Sequence, residues 1–223
     1  MAYSHGTPNS IVTDKLMFAV DPANKRSWTG PDSSTVNNLK GINTGSISND
    51  TSGSYGVNNS FAFDGTGDQI NFGDISEADL IGTFTISTWV EVNVYRDYEH
   101  ILAKIEGDSY NGWRIQIDTN HIRYQNSNLS GGLTIARPST TNTWHNICYT
   151  SNGSNLIIYL DNISTTLSGY SSPPSTSHDF TIGDSPASQP AFNGSIGPTL
   201  IYDNELSASE VAQNYNALKG RFE

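Results

Sequence analysis

Trp89 alternates with Thr85, Ser87 and Glu91 in the run Phe84-Thr85-Ile86-Ser87-Thr88-Trp89-Val90-Glu91-Val92. An extended chain therefore puts all four on one face. Sugar recognition asks for such a face: a flat apolar platform under the C–H side of a ring, and planar side chains that bond its hydroxyls. Arg114, Gln116 and Asp118 lie on the polar face of one further alternating run, and Arg123 and Gln125 on that of another. Trp89, Glu91, Arg114, Gln116, Asp118, Arg123 and Gln125 are thus the candidate glycan-binding set. The competing assignment for Trp89 is burial beneath a covering segment. Tyr95, Tyr98, Tyr110 and Tyr170 are alternative loop aromatics, while Trp28 and Trp113 are expected in the core.

The same acids fit hydrolysis poorly. A glycoside hydrolase needs two carboxylates about 5–9.5 Å apart, which on a strand means acids at i and i+2 or i+4. Glu91 has Trp89 and Asn93 as same-face neighbours, and Asp118 has Gln116 and Arg114. Convergence of acids from separate strands stays open. There is no G-x-S-x-G elbow and no P-loop. His5, His100, His121, His145 and His178 are scattered and form no pair at metal-ligand spacing. Asp64, Asp68 and Asp203, with Asp74, Asn204 and Glu205 as further oxygen donors, could hold a calcium ion. Turn formation accounts for these acids equally well. No other cofactor is expected.

These side chains need a frame of short strands. Of 223 residues, 35% are hydrophobic and only 15% charged, and Ser, Thr, Asn and Gly dominate the rest, which suits strands joined by many turns. Alternation marks strands at Leu16 to Val20, Ser60 to Asp64, Gln69 to Phe72, Phe84 to Val92, His100 to Ile105, Trp113 to Asp118, His121 to Gln125, Leu133 to Ala136, Trp144 to Thr150, Leu156 to Asp161, Phe180 to Gly183 and Ser195 to Tyr202. One apolar and one polar face per strand predicts an all-β fold of two packed antiparallel sheets. The Ser/Thr/Asn-rich stretches 43–54 and 171–178 predict long loops.

One helix is expected at 207–219. Ser207 and Glu210 form a capping box, Leu206 and Val211 stand at staple positions, and Val211, Tyr215 and Leu218 make an apolar stripe. Gly220 sits where a C-terminal cap belongs. Residues 1–12 read as an extended arm ahead of a domain at 13–223. Such an arm suits docking on a second copy or another protein, so a homo-oligomer is expected; wrapping its own domain is the alternative.

The formal net charge of −11 opposes phosphate backbones and anionic bilayers, so neither nucleic acid nor membrane is an expected partner. Cys148 is the single cysteine; it excludes an intrachain disulfide and reads as a small core residue. The opening Met1-Ala2-Tyr3-Ser4-His5-Gly6 lacks the features of a signal peptide, which points to folding in a cytoplasm.

Several motifs look familiar in combination. Phe61-Ala62-Phe63-Asp64-Gly65-Thr66-Gly67-Asp68, Phe84 to Val90, Trp144-His145-Asn146-Ile147 with Ile158-Tyr159-Leu160-Asp161-Asn162, and Phe192-Asn193-Gly194-Ser195-Ile196 leading to Ile201 through Ser207 follow one another in order. Together they resemble the laminin G-like, concanavalin A-like lectin and glucanase jelly rolls over nearly the whole chain. Residues 210–222 and 11–28 are similar to versions found in tailed-phage structural proteins. The resemblance implies a jelly-roll sandwich with one short C-terminal helix. It also implies a non-enzymatic adhesion or decoration module on a virion surface, made in the host cytoplasm, with other virion proteins and a cell-surface glycan as partners. A ligand-free virion component and a glycoside hydrolase are the alternatives. Two departures matter. Gly197-Pro198 stands where many members carry acids, so the resemblance implies no calcium there. The acid-x-acid-x-x-acid pattern of related glucanases is also missing.

Overall fold

The computed structural model describes residues 10–48, 59–107, 111–129, 132–186 and 190–223; the arm over residues 1–9, and Tyr110, lie outside the described residues. Two antiparallel sheets face each other. The first has seven strands: β1 (Leu16–Val20), β15 (Asn193–Tyr202), β6 (Thr83–Val92), β11 (Trp144–Asn152), β12 (Leu156–Leu160) and β13 (Ile163–Leu167) in that order, with β4 (Phe61–Asp64) also paired to β15. The second has eight: β10 (Leu133–Ala136), β9 (His121–Asn126), β8 (Gly112–Ile117), β7 (Glu99–Ile105), β14 (Phe180–Ile182), β5 (Gln69–Asn71), β3 (Thr44–Ser48) and β2 (Thr35–Asn37). The chain passes back and forth between the sheets, which gives the expected jelly roll.

Alternation decides what faces inward. Phe84, Ile86, Val90 and Val92 of β6 meet Trp113, Ile115 and Ile117 of β8 and Ile122 and Tyr124 of β9 in one apolar core. Tyr170, read as a loop aromatic, joins that core. Lys104 is buried with it, and its ammonium is neutralised by Asp74 at 2.9 Å and Asp79 at 2.6 Å. The stretch at 43–54 is not wholly loop, because β3 occupies Thr44–Ser48. β2 and β13 also escape the sequence reading. They are short and rich in Thr and Ser, and so lack a run of core residues. Asp161 and Asn162 both take left-handed backbone at φ 50° and 66°, the geometry of a tight turn between right-twisted strands.

A second apolar layer lies outside the seven-stranded sheet. Leu16, Ala19, Cys148, Tyr159, Leu200 and Tyr202 are covered by Leu206 and Val211. The helix α1 (Ala208–Leu218) supplies the lid. It starts where the sequence places it: Ser207 accepts from the Glu210 backbone N–H, and the Glu210 carboxylate accepts from the Ser207 N–H at 2.8 Å. Gly220 does not cap it. The chain leaves through Lys219 at φ −57° into a single tight turn at Lys219–Arg221, which lowers Phe222 onto the sheet. Beneath α1, burial pushes the Cys148 thiol up to about 12, so it is inert near neutral pH. Ser10–Val12 also fasten to this side. Asn214 Oδ1 accepts from the Val12 N–H at 2.7 Å, the Tyr202 hydroxyl donates to Val12 O at 2.9 Å, and Gln213 donates to Ser10 O at 2.8 Å. Ser207→Ala should destabilise the protein by about 0.5–2 kcal/mol by uncapping α1. Urea melts with an unchanged midpoint would show that the cap carries no weight.

Candidate functional site

The predicted set is split between opposite sides of the sandwich. Trp89 and Glu91 stand on the outer face of the seven-stranded sheet; Arg114, Gln116, Asp118, Arg123 and Gln125 belong to the eight-stranded one. Trp89 does not form a platform. It is 3% exposed, with Phe222 stacked at 4.6 Å and Tyr215 at 5.4 Å between centroids. Room for this comes from a register shift in β15 between Ile196 and Thr199, at Gly197-Pro198. A Cβ on Gly197 would stand 3.0 Å from Phe222 and 3.1 Å from Trp89, and proline is tolerated in a central strand only at such a bulge. Glu91 lies opposite Trp144 and Ser195, away from the other polar residues of the set.

Among the described residues, the part of the eight-stranded sheet's outer face over β3, β5 and β14 is open. Thr44, Ser46 and Ser48 of β3, Gln69 and Asn71 of β5, and Thr181 of β14 share it, because Ile47, Ile70, Phe180 and Ile182 between them point into the core. These hydroxyls and amides line two depressions of about 520 and 400 Å³ that share Gln69 and Asn71. The second continues past Ile105 to His178, Asp179 and Glu106. Asn71 donates to Asp179 Oδ2 at 2.9 Å, which fixes its amide. This groove was not among the expected sites. Its signal was the alternation Ser46-Ile47-Ser48, in a stretch expected as loop, beside the expected strand that carries Gln69-Ile70-Asn71.

Ser185 and Ala191 stand over the same face. Ser185 Oγ meets His100 Nδ1, and Ala191 forms a parallel bridge with His100. Gln116 donates to the Tyr98 carbonyl at 3.3 Å and pairs with His100 at 2.8 Å. Arg114 donates to Gln125 Oε1 at 2.9 Å. Arg114, Gln116, Asp118 and Gln125 are consequently buried, so of the predicted polar residues on this sheet only Arg123 keeps part of its side chain near solvent. Asp118 is occupied as well. Burial pushes its carboxyl up, but the backbone N–H groups of Asn120 and His121, with Arg123, outweigh this and hold it below the usual carboxylate value. Burial pushes Glu99 up despite Arg96 at 2.8 Å.

At the end of the sheet where β7 begins, the β8–β9 turn forms a rim with the loop before β7. Tyr98 is 43% exposed and held at φ 62°. The Arg123 guanidinium lies 5.3 Å from its ring centroid. Thr119 Oγ1 donates to Asp97 at 2.9 Å. Arg137 lies over the Tyr95 ring at 3.6 Å, with Nε donating to Thr119 O at 2.8 Å and Nη1 to Pro138 O at 2.6 Å.

The calcium candidates do not converge. Asp68 accepts from the Asp64 backbone N–H at 2.8 Å, and Asp64 accepts from Thr66 in a local turn. Asp203 follows the far end of β15 from Asn193, the partner of Asp64, about 30 Å away at roughly 3.3 Å per strand residue. Asp74 is paired with Lys104. Among the described residues, no helix is long and apolar enough to cross a membrane.

Residues 64–212 match the family described as the concanavalin A-like lectin/glucanases superfamily. No curated protein matches the sequence. Among solved structures, the chain is similar to Trypanosoma rangeli sialidase in complex with sialic acid, at 14% identity and a TM-score of 0.68, covering 95% of this chain and 34% of that one. It is similar to the binding domain of botulinum neurotoxin DC in complex with SialylT, at 16% identity and a TM-score of 0.66, covering 95% and 52%. It is also similar to domain 4 of AbnA, an extracellular arabinanase from Geobacillus stearothermophilus, in complex with arabinotriose. That pair shares 13% identity with a TM-score of 0.63, covering 90% and 98%. The chain thus spans about a third of the sialidase and half of the toxin fragment, and these likenesses carry the fold alone.

Proposed function

The chain belongs to the concanavalin A-like lectin/glucanase superfamily, and from that premise we propose that it is a non-enzymatic carbohydrate-binding module whose ligand lies on the outer face of the eight-stranded sheet. The observation that carries this reading is the groove of Thr44, Ser46, Ser48, Gln69, Asn71 and Thr181. It offers neutral donors and acceptors at fixed spacing, which is what sugar hydroxyls require. The opposite outer face is sealed by α1 and Phe222. The arabinanase domain supports the reading, since nearly all of that separately solved domain corresponds to this chain and its complex contains arabinotriose. The non-enzymatic part rests on the carboxylates. Glu91 and Asp118 are on different sheets, and Asp118 is held below the ordinary carboxylate value, whereas a general acid needs the opposite shift.

We place the module on the surface of a phage particle, supported by the resemblance of residues 11–28 and 210–222 to tailed-phage structural proteins. Many copies on one particle would make weak sites effective. Mass spectrometry of purified particles that lack the chain would remove this setting.

A shallow open groove buries little surface, so affinity per site should be about millimolar to micromolar. Gln69→Ala combined with Asn71→Ala should weaken binding by about tenfold or more, at roughly 1 kcal/mol for each neutral hydrogen bond lost, with little change in the melt. A panel including arabino- and sialyl-oligosaccharides on which the protein binds nothing would overturn the proposal. So would a double variant that binds as the parent does.

A further inference from the structure

The rim at the β8–β9 turn differs in charge from the groove. The protein carries −11 overall, yet four of its six arginines, Arg96, Arg114, Arg123 and Arg137, stand on the loop before β7, on β8 and β9, and just after β10. Arg96 is balanced by Glu99 and Arg123 by Asp118. Asp97 and His121 complete the titratable groups facing the turn. His121 Nδ1 lies 3.5 Å from Asp118, and Asp97 accepts from Thr119.

Arg137 is placed differently. Its guanidinium is fixed by two backbone carbonyls and the Tyr95 face, and none of the three contacts supplies a negative charge. Tyr95 is anchored in turn through its hydroxyl to Thr140 O at 2.8 Å. The Tyr95 side chain also accepts from the guanidinium, and no carboxylate pairs with it among the described residues. A planar cation with its ordering cost already met and only neutral partners is a receptor for an oxyanion. Tyr98, tied to the same turn through Asp97, offers an exposed ring on left-handed backbone that a tyrosine adopts only when its surroundings enforce it.

Resting on the glycan reading above, we propose that this rim, separated from β3 and β5 of the groove by β14 and β7, is a second subsite that takes sugars bearing a carboxylate, with Arg137 as the specificity-determining residue and Tyr98 as the platform for the acidic ring. Sialic acids and uronic acids share that chemistry. Isothermal titration of the full chain with 3′-sialyllactose, trigalacturonate and lactose separates them. At least one acidic ligand should bind about tenfold more tightly than lactose, as expected for one charge-assisted hydrogen bond. The preference should shrink in high salt.

Arg137→Gln, which keeps an amide donor near Thr119 O, should abolish the preference and leave lactose affinity unchanged. Arg137→Lys should recover part of it. A parent protein that binds lactose as tightly as both acids sinks this inference and leaves the glycan reading standing; one that binds no sugar sinks both. A lowered melt in Arg137→Gln with no recovery in Arg137→Lys would mean that the residue only holds the turn, and would also overturn the proposal.

Discussion

Trp89→Ala should lower stability by about 3–5 kcal/mol, the range for truncating a buried large aromatic. The indole lies between Phe222 and Tyr215, with interplanar angles of 19° and 15°. Its Nε1 has no partner among the described residues, so its contribution is apolar packing. Truncation would leave a void under the tail that Trp144 and Phe222, 4.5 Å apart, cannot fill without moving. For a domain of this size each 1 kcal/mol shifts the melting temperature by about 2–4 °C, so the drop should be roughly 6–20 °C. Sugar affinity should not change, because Trp89 and the groove belong to different sheets. Phe222→Ala should be less than additive with Trp89→Ala, since the two rings share one contact. Calorimetry showing a shift of about 1 °C or less would mean that the tail is not seated on Trp89 in solution.

The second large effect is expected at Gly183, which directly follows β14 and lies two residues before Ser185. Its φ of 91° is left-handed, and a Cβ there would run into the Phe63 ring. Its N–H donates to Ile101 O at 3.0 Å, and its carbonyl accepts from Phe192 at 2.8 Å, so the backbone cannot swing aside without breaking β-type bonds on both sides. Gly183→Ala combines about 1–2 kcal/mol of backbone strain with about 1–3 kcal/mol of overpacking. Phe63, packed on Phe192 at 6.2 Å, should carry the disturbance to Ala191 and His100, so both stability and ligand affinity should fall. A variant with parental melting and parental affinity would show that the seating of Ser185 and Ala191 on His100 does not depend on this glycine.

Strand alternation was legible in the sequence because each strand has a core face. Phe84, Ile86, Val90 and Val92 lie inside as their spacing requires. It places Trp89 correctly on the opposite face of β6, but not what covers that face. Phe222 lies 133 positions further on, and no local pattern ties the two together. Nor does alternation say which sheet a strand joins. Glu91 and Arg114 looked alike as polar-face residues, yet the chain changes sheets between β6 and β7. The capping box at Ser207 and Glu210 was readable because its bonds are local. The groove was harder, since β3 contributes few core residues and reads as loop, and the strand at Gln69 to Phe72 gives no sign of its partner. Arg137 was invisible as a site because its character comes from Tyr95 and Thr119, neither adjacent in sequence.

The fastening of Ser10–Val12 to α1 has a mechanical consequence. Tension applied between residue 10 and residue 223 would first meet side-chain bonds, those of Asn214, Tyr202 and Gln213 at one end and of Arg221 with Asp21 and Asn59 at the other, rather than a strand ladder loaded in shear. They would give way one after another and peel α1 off the seven-stranded sheet, uncovering Trp89. The ladder of β1 with β15 would still be closed at that stage, and the groove on the other sheet would carry no load. A ligand held there should therefore stay bound through the first extension step, with the helix acting as an extensible tether behind a rigid binding face.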